Sequence, residues 1–391
     1  MPKPLLKAFF LCTANSGVAY YRLWQFKEAM NRMKLASVAM PWWNSGQLHA
    51  QEWQWHVHDD PRVYARTGVI NQLVRQSDVV VTQFLHSWEA LALIEAVKAC
   101  HPKIPFLMEI DDLLIDTPVY NDAFDQYRPG QPLREIAIEQ MKMSDAIVTS
   151  TPYLKERFSE FCKHIYVMPN CLDFKMWDKI ENVAPAGPLR IGWAGGGNHY
   201  EDLKTIEKPI KDYLATAKNA EFHIVHGAPQ FFKDQSRIVW HREWKPIAKY
   251  AKHLARMGFA IGLAPLVDNA FNRGKSNLRK LEYAGLKIPV LAAKVGHFVE
   301  TCKHGRDGFL YETDEEFLKY LDLLLKNETL RRDMGKYNYL DVRERFNVES
   351  VARDYMDMLL ECKNRGQIVK IDVSDPKEKT KKWITPQPVL S

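Results

Sequence analysis

Between residues 265 and 285 the chain reads Pro-Leu-Val-Asp-Asn-Ala-Phe-Asn-Arg-Gly-Lys-Ser-Asn-Leu-Arg-Lys-Leu-Glu-Tyr-Ala-Gly. An apolar run at 259–265 precedes this stretch, and from Lys275 the spacing becomes helical. A strand that turns into a helix at this point leaves the N–H groups of Lys275, Ser276 and Asn277 without intrahelical partners, at the positive end of the helix dipole. Arg273 and Lys275 add full charges beside them. Oriented amides together with cations are what a diphosphate needs. Further along, Glu282 could accept two hydroxyl hydrogen bonds from a ribose. The plain alternative is a basic, solvated first turn, but cations at a helix N-terminus are unfavourable unless an anion offsets them.

A second loop of the same kind is Gly192-Trp-Ala-Gly-Gly-Gly-Asn-His-Tyr-Glu-Asp-Leu203. Gly195, Gly196 and Gly197 would let the backbone approach a ligand closely, ahead of a helix N-terminus that attracts anions. The glycines are contiguous, so this is not the spaced dinucleotide fingerprint, and a tight turn is an equal alternative. In the first half, Gly17 sits where the first strand turns into a helix, followed by Tyr20, Tyr21 and Arg22. Of the two tyrosines, one is expected in the core. Asp111-Asp112 follows an apolar run at 104–110 and could supply a general base, a helix cap or a metal site. Adjacent residues at a strand end point to opposite faces, so both rarely bind one ion, and no metal is expected. His86 and His199 fall in loops at strand ends, as site contacts or as plain surface. Trp42, Trp43, Trp53 and Trp55 cluster in one stretch, as a stacking surface or a partly buried insert.

These residues need elements to hold them. Apolar strand-like runs occur at 8–13, 79–83, 104–110, 146–150 and 165–168, then at 189–193, 221–226, 237–240, 259–265 and 288–292. Helical stretches separate them, at 21–34, 87–100, 152–162, 201–217, 245–257, 275–284 and 314–326. Runs apolar on both faces and separated by helices imply parallel sheets covered on both sides. Residues 178–188, with two prolines and a glycine, read as a linker. The expected architecture is α/β, with two Rossmann-like domains facing a cleft: residues 1–177, the linker 178–188 and residues 189–365, the C-terminal helix crossing back to the first domain. In such sheets ligands sit at the carboxyl ends of the strands, where the loops above fall. Residues 366–391 read as a basic, flexible tail.

Composition narrows the class. With 46% hydrophobic and 26% charged residues, disorder and fibrous repeats are disfavoured. No apolar run reaches the ~18 residues of a membrane span, and residues 5–13 read as a strand rather than a leader. Six scattered cysteines without a Cys-x-x-Cys pair suit reduced, buried thiols in a cytoplasmic protein. A net charge of +6 favours polyanionic ligands without choosing between diphosphates, nucleic acid and anionic membrane.

Taken together, Gly192–Leu203, the 265–283 stretch, Gly285, Pro289-Val290 and Gly305-Arg-Asp-Gly308 resemble the family 4 glycosyltransferases, in a branch common in bacteria and phages. Ser16–Arg22, Glu109–Asp112, Thr149–Thr151 and Pro169–Asp173 agree more loosely, so the resemblance spans roughly residues 8–360. It implies the two-domain GT-B architecture, a first domain on the acceptor side and a second that binds a nucleotide sugar. Donor contacts are then expected from Gly17, Gly195, Gly196, Gly197, His199, Asn272, Lys275, Ser276, Asn277 and Glu282. Tyr20, Arg22 and His86 are expected on the acceptor side, and Asp111, Asp112, Arg273 and Lys275 at the chemistry. Glu282 resembles the ribose-binding glutamate that ends the family's Glu-x7-Glu motif. The first glutamate falls at Gly274, a departure that puts the donor sugar in doubt. The family's His-Asp pair falls at Asp111-Asp112, a second departure. The resemblance implies transfer with retention from a UDP-sugar, with no cofactor required and no obligate protein partner. The acceptor is a carbohydrate or lipopolysaccharide precursor, with peripheral membrane contact permitted. A hydroxymethylated base in phage DNA is the alternative acceptor, and sugar-nucleotide 2-epimerisation the alternative reaction.

Overall fold

The structure is a computed structural model and describes residues 6–12, 16–40, 69–183, 185–227, 229–233, 235–243, 245 and 247–370. The Trp42, Trp43, Trp53 and Trp55 cluster lies outside the described residues, as does the tail beyond residue 370.

Two six-stranded sheets form, and every pairing in them is parallel. The first holds β1 (Leu6–Leu11), β2 (Ala36–Ala39), β3 (Val79–Gln83), β4 (Phe106–Glu109), β5 (Ala146–Thr149) and β6 (Ile165–Val167), in the order β2-β1-β3-β4-β5-β6. The second holds β7 (Leu189–Gly195), β8 (Ala220–His226), β9 (Ile238–His241), β10 (Phe259–Ala264), β11 (Val290–Ala293) and β12 (Gly308–Tyr311), in the order β9-β8-β7-β10-β11-β12. Central strands such as β3 and β11 are buried along their whole length, as sheets with helices on both faces require. Both sheets are Rossmann-like. The direction of winding reverses between β1 and β3 in one and between β7 and β10 in the other, and such reversals are where ligands bind.

Contacts group the chain into two compact units. One comprises residues 1–116, 125–168 and 352–391, and the other residues 117–124 and 169–351. Residues 178–188 therefore fall inside the second unit. The last helix, Val348–Arg365, belongs to the first unit from Ala352 onward, so the chain does cross back.

Two strands escaped the sequence pattern. β2 is four small residues alternating buried and exposed, and β12 opens on a glycine, so neither makes a long apolar run. The tail expectation needs correction over its first residues. Gln367 Nε2 donates to the carbonyls of Lys98, His101 and Ile104, at 3.1, 3.0 and 2.9 Å. The amides of Ile368 and Val369 donate to Asp145 Oδ1 at 2.8 and 2.9 Å. Three backbone carbonyls, two of which also accept from the chain's own amides, and a carboxylate paired with buried Lys98 pin the segment, a pattern no periodicity announces. Of the six cysteines, Cys100 is exposed and the other five are buried. Among the described residues no helix is long and apolar enough to cross a membrane.

In the second unit, one side chain anchors the helix Leu278–Gly285 at the reversal point. Tyr283, fully buried, donates its hydroxyl to the carbonyls of Leu263 on β10 and Gly192 on β7, at 3.1 and 3.3 Å. Its ring lies against Gly262, where a Cβ would come within 2.4 Å of it, so only glycine lets the helix approach β10 this closely.

Candidate functional site

The ends of β7 and β10 lead into the two loops singled out by sequence. Asp202, in the short helix Tyr200–Lys204, ties them together. Buried at 3% exposure, its Oδ1 accepts from the Val267 amide (2.9 Å) and from Asn272 Nδ2 (2.7 Å). Its Oδ2 lies 2.7 Å from His199 Nδ1. Burial holds the His199 imidazole below its usual range despite Asp202, and Lys275 and Arg279 push the same way. A neutral His199 thus faces two cations. The charge of Asp202 is engaged inside the protein, by His199, Asn272 and the Val267 amide.

The turn after β10 differs from the sequence expectation in its backbone. A short helix, Ala270–Arg273, intervenes, and the main helix opens at Leu278 rather than at Lys275. The Lys275 amide donates to the Asn272 carbonyl (3.1 Å), so it is not among the open groups. The amides without an i−4 partner are those of the first turn from Leu278, as helix geometry dictates. The reason is Asn269, whose side chain caps the short helix by accepting from the Asn272 amide at 2.9 Å.

Asn277 occupies the N-cap position of the Leu278–Gly285 helix but makes no cap bond. It is fully buried, and neither its Oδ1 nor its Nδ2 has a hydrogen-bond partner. An unpaired buried amide costs about 1–3 kcal/mol for each lost partner. Natural structures leave few such groups without a purpose. Ser276, half-buried, accepts from Asn170 Nδ2 at 2.7 Å, which joins the Pro169-Asn170 motif to this turn. Lys275, also half-buried, lies 4.5 Å over the Phe271 ring. Glu282, one face along the helix, is 5% exposed and accepts from the Tyr250 hydroxyl at 3.2 Å.

Two expected ligand groups are occupied by the protein itself. Arg273 is gripped by Asp268 through Nε (2.6 Å) and Nη2 (2.9 Å). Its guanidinium is about half exposed, so the pair adds little stability, but it offsets the charge expected at the chemistry. Asn272, 2% exposed, spends its side-chain N–H groups on Asp202 and the Val267 carbonyl (3.0 Å), so it braces the turn. In the glycine loop, Gly197 has open space where a Cβ would stand, whereas Gly195 is packed against Trp193 and Arg279. Gly196 abuts Gly227, whose amide donates to the Gly195 carbonyl at 3.0 Å.

In the first unit Gly17 likewise opens onto empty space at the start of a helix capped by Ser16. Tyr20 is half-buried and meets Tyr21 edge-on, and Tyr21 is the core tyrosine. A π-helical segment, Tyr20–Trp24, turns Arg22 inward. Arg22 is the clear correction. It is fully buried, donating from Nε to Glu109 Oε1 and from Nη1 to the Met168 carbonyl, both at 2.6 Å. It ties β4 to the end of β6 and presents no charge to an acceptor. Burial, opposed by Arg22 and reinforced by Asp112, pushes the Glu109 carboxyl up. Asp111 and Asp112 are half-buried just beyond β4. His86 is exposed and edge-on to Phe84. Sequence reasoning missed Asp202, Tyr250 and Arg279. Asp202 left a trace as the acidic residue at the end of the Gly192–Leu203 motif, and Arg279 as a basic residue three positions before Glu282, whereas Tyr250 left none.

Comparison with solved structures fixes the architecture. The Anabaena protein HepE, solved with UDP and glucose, superposes with a TM-score of 0.62 at 12% identity, over 91% of this chain and 100% of its own. Sucrose-phosphate synthase from Thermosynechococcus elongatus gives 0.61 at 12% identity, over 91% and 98%. A glycosyltransferase from Rickettsia africae gives 0.61 at 14% identity, over 91% and 98%. The fold is GT-B. In this GT-B chain, residues 208–357 also match the family model described as glycosyl transferase-like. That segment contains the turn after β10, Asn277 and Glu282. No curated protein matches the sequence.

Proposed function

We propose that the chain is a glycosyltransferase that takes a sugar from a nucleoside-diphosphate donor, a UDP-sugar, and transfers it to a carbohydrate or lipopolysaccharide-precursor hydroxyl. The observation that carries this reading is the uncapped helix end at the β7/β10 reversal. Asn277 is unpaired there, the open amides of the Leu278 turn carry the positive end of the helix dipole, and half-buried Lys275 stands beside them. Asp202 and Asp268 spend their charges on neighbours, which leaves an anion as the missing partner. The glycosyl transferase-like match over this segment and the UDP held by the GT-B relative HepE support the same donor class.

Transfer breaks an anomeric C–O bond and leaves a new charge on the nucleoside diphosphate. Lys275 and the open amides stabilise that charge as it develops, and being fixed in place they need no reorganisation. The chain offers Glu282 to the ribose hydroxyls and Gly197 as a point of close backbone approach. Retention follows if the leaving phosphate itself helps to take the acceptor proton. Asp111 and Asp112 are the carboxylates available as base if the reaction inverts instead. A thermal-shift screen of UDP-, GDP- and ADP-sugars, followed by mass analysis with oligosaccharide and duplex-DNA acceptors, tests the reading. A UDP-sugar is expected to raise the melting temperature and to yield a glycosylated oligosaccharide. No shift with any donor contradicts the donor site, and a product only on DNA contradicts the acceptor class.

A further inference from the structure

Arg279 sits at the meeting point of three elements. Its guanidinium lies 5.2 Å from the Trp193 ring centre on β7. A Cβ on Gly195 would come within 2.7 Å of its Nη2, so glycine at 195 makes room for this side chain. It hydrogen-bonds Tyr250 on the helix Ile247–Arg256, and Tyr250 in turn donates to Glu282 Oε2 at 3.2 Å. Residues 279 and 282 share one face of their helix, so the positive end of the chain of contacts lies beside the carboxylate it supports. Burial and the neighbouring Glu282 raise the Tyr250 hydroxyl well above its usual range, so it stays protonated and remains a donor.

Taking the donor reading above as the base, we propose that Arg279 is a positioning residue that fixes the direction of the Glu282 carboxylate through Tyr250, and thereby sets the preference for ribose over 2′-deoxyribose nucleotides. The Tyr250 hydroxyl is one of the groups that aim the carboxylate, and it shifts, with the carboxylate it meets, when it loses its own anchor. A swung carboxylate still carries its charge but no longer meets a sugar hydroxyl at bonding distance. Discrimination then falls more than affinity does, because only the correctly aimed group tells the two sugars apart.

Calorimetric titration of UDP and 2′-deoxy-UDP into the full chain tests this. Wild type is expected to prefer UDP by about tenfold or more. Arg279→Met and Tyr250→Phe are each expected to bring that preference close to unity, while Arg279→Lys, which keeps the charge over Trp193, retains part of it. Tyr250→Phe preserves the packed ring, so it keeps the test intact if Arg279→Met fails to fold. Combining Arg279→Met with Glu282→Gln is expected to add nothing to Glu282→Gln alone. Variants that bind with the wild-type preference, or losses that multiply in the double variant, overturn the role of Arg279 alone. A wild-type chain that binds neither nucleotide overturns the donor reading and this role with it.

Discussion

Arg22 with Glu109 in the first unit and Arg279 with Glu282 in the second are both arginine–glutamate couples near strand ends, yet they are finished differently. In the first, Nε meets the carboxylate directly at 2.6 Å, a second nitrogen takes the Met168 carbonyl, and Gln83 adds a third contact at 3.3 Å. In the second, the arginine reaches its glutamate through Tyr250, and the side chain of Asn277, between Lys275 and Arg279, has no hydrogen-bond partner. The first couple closes its two charges directly on each other, as a structural tie does. In the second unit the Asn277 side chain stands without a hydrogen-bond partner at a helix end, the feature on which the proposed donor site rests. On the proposed reading, two sheets of the same architecture separate holding the fold together from meeting a donor.

The largest effect is expected where the comparison says the couple is structural. Arg22→Met strands a buried Glu109 and should cost about 3–5 kcal/mol of stability, read as a lowered urea midpoint. The double variant Arg22→Met, Glu109→Leu should recover most of that loss, because an apolar pair leaves no buried charge. A single variant that loses less than ~1 kcal/mol would erase the contrast between the two couples. A smaller effect on a different observable is expected in the second unit. Lys275→Ala should weaken UDP binding by roughly 10–100-fold while stability shifts by no more than about 0.5 kcal/mol. Equal losses of stability and affinity would mark Lys275 as another structural cation.

The smallest effect belongs to a third polar cluster, at the β8–β9 edge of the second unit. His223 Nδ1 and His241 Nε2 lie 2.9 Å apart, with Glu221 Oε2 3.0 Å from His223 Nε2. Burial, with His223, Arg190 and His253, holds His241 down to about 4. A folded-state value below the unfolded 6.5 means the neutral form is favoured in the fold. Its stability is fully present above pH 6.5 and is lost as pH falls from 6.5 through about 4. Allowing for half exposure, the loss should be about 1 kcal/mol, and a His241→Gln variant should show a flatter melting profile over that window. Parallel profiles would place the acid sensitivity elsewhere.

Most of the architecture was legible because buried parallel strands announce themselves. Val79–Gln83 is apolar on both faces and was placed to the residue. The loops that carry the candidate site were legible by their position after such strands. What sequence could not show was how the polar groups pair. Arg22 stands beside a glycine and two tyrosines, as a ligand-facing arginine would, and only the π-helical turn sends it inward to Glu109. Arg273 looked like a phosphate cation until Asp268, five residues earlier, was seen to grip it. The late start of the helix at Leu278 depends on the capping choice of Asn269, a side-chain bond of a few kilocalories at most that no periodicity encodes. Asp202 and Tyr250 matter through partners about 65 and 32 residues away, beyond the reach of local spacing.

The central claim is that the end of the Leu278–Gly285 helix is a seat for a diphosphate, and Asn277→Asp tests it most directly. A carboxylate there can cap the helix from within while repelling an anion from outside. Calorimetry with UDP, alongside the melting temperature, is expected to show stability unchanged or raised and affinity lowered at least about tenfold. An Asn277→Asp chain that binds UDP as tightly as the wild type would contradict the account.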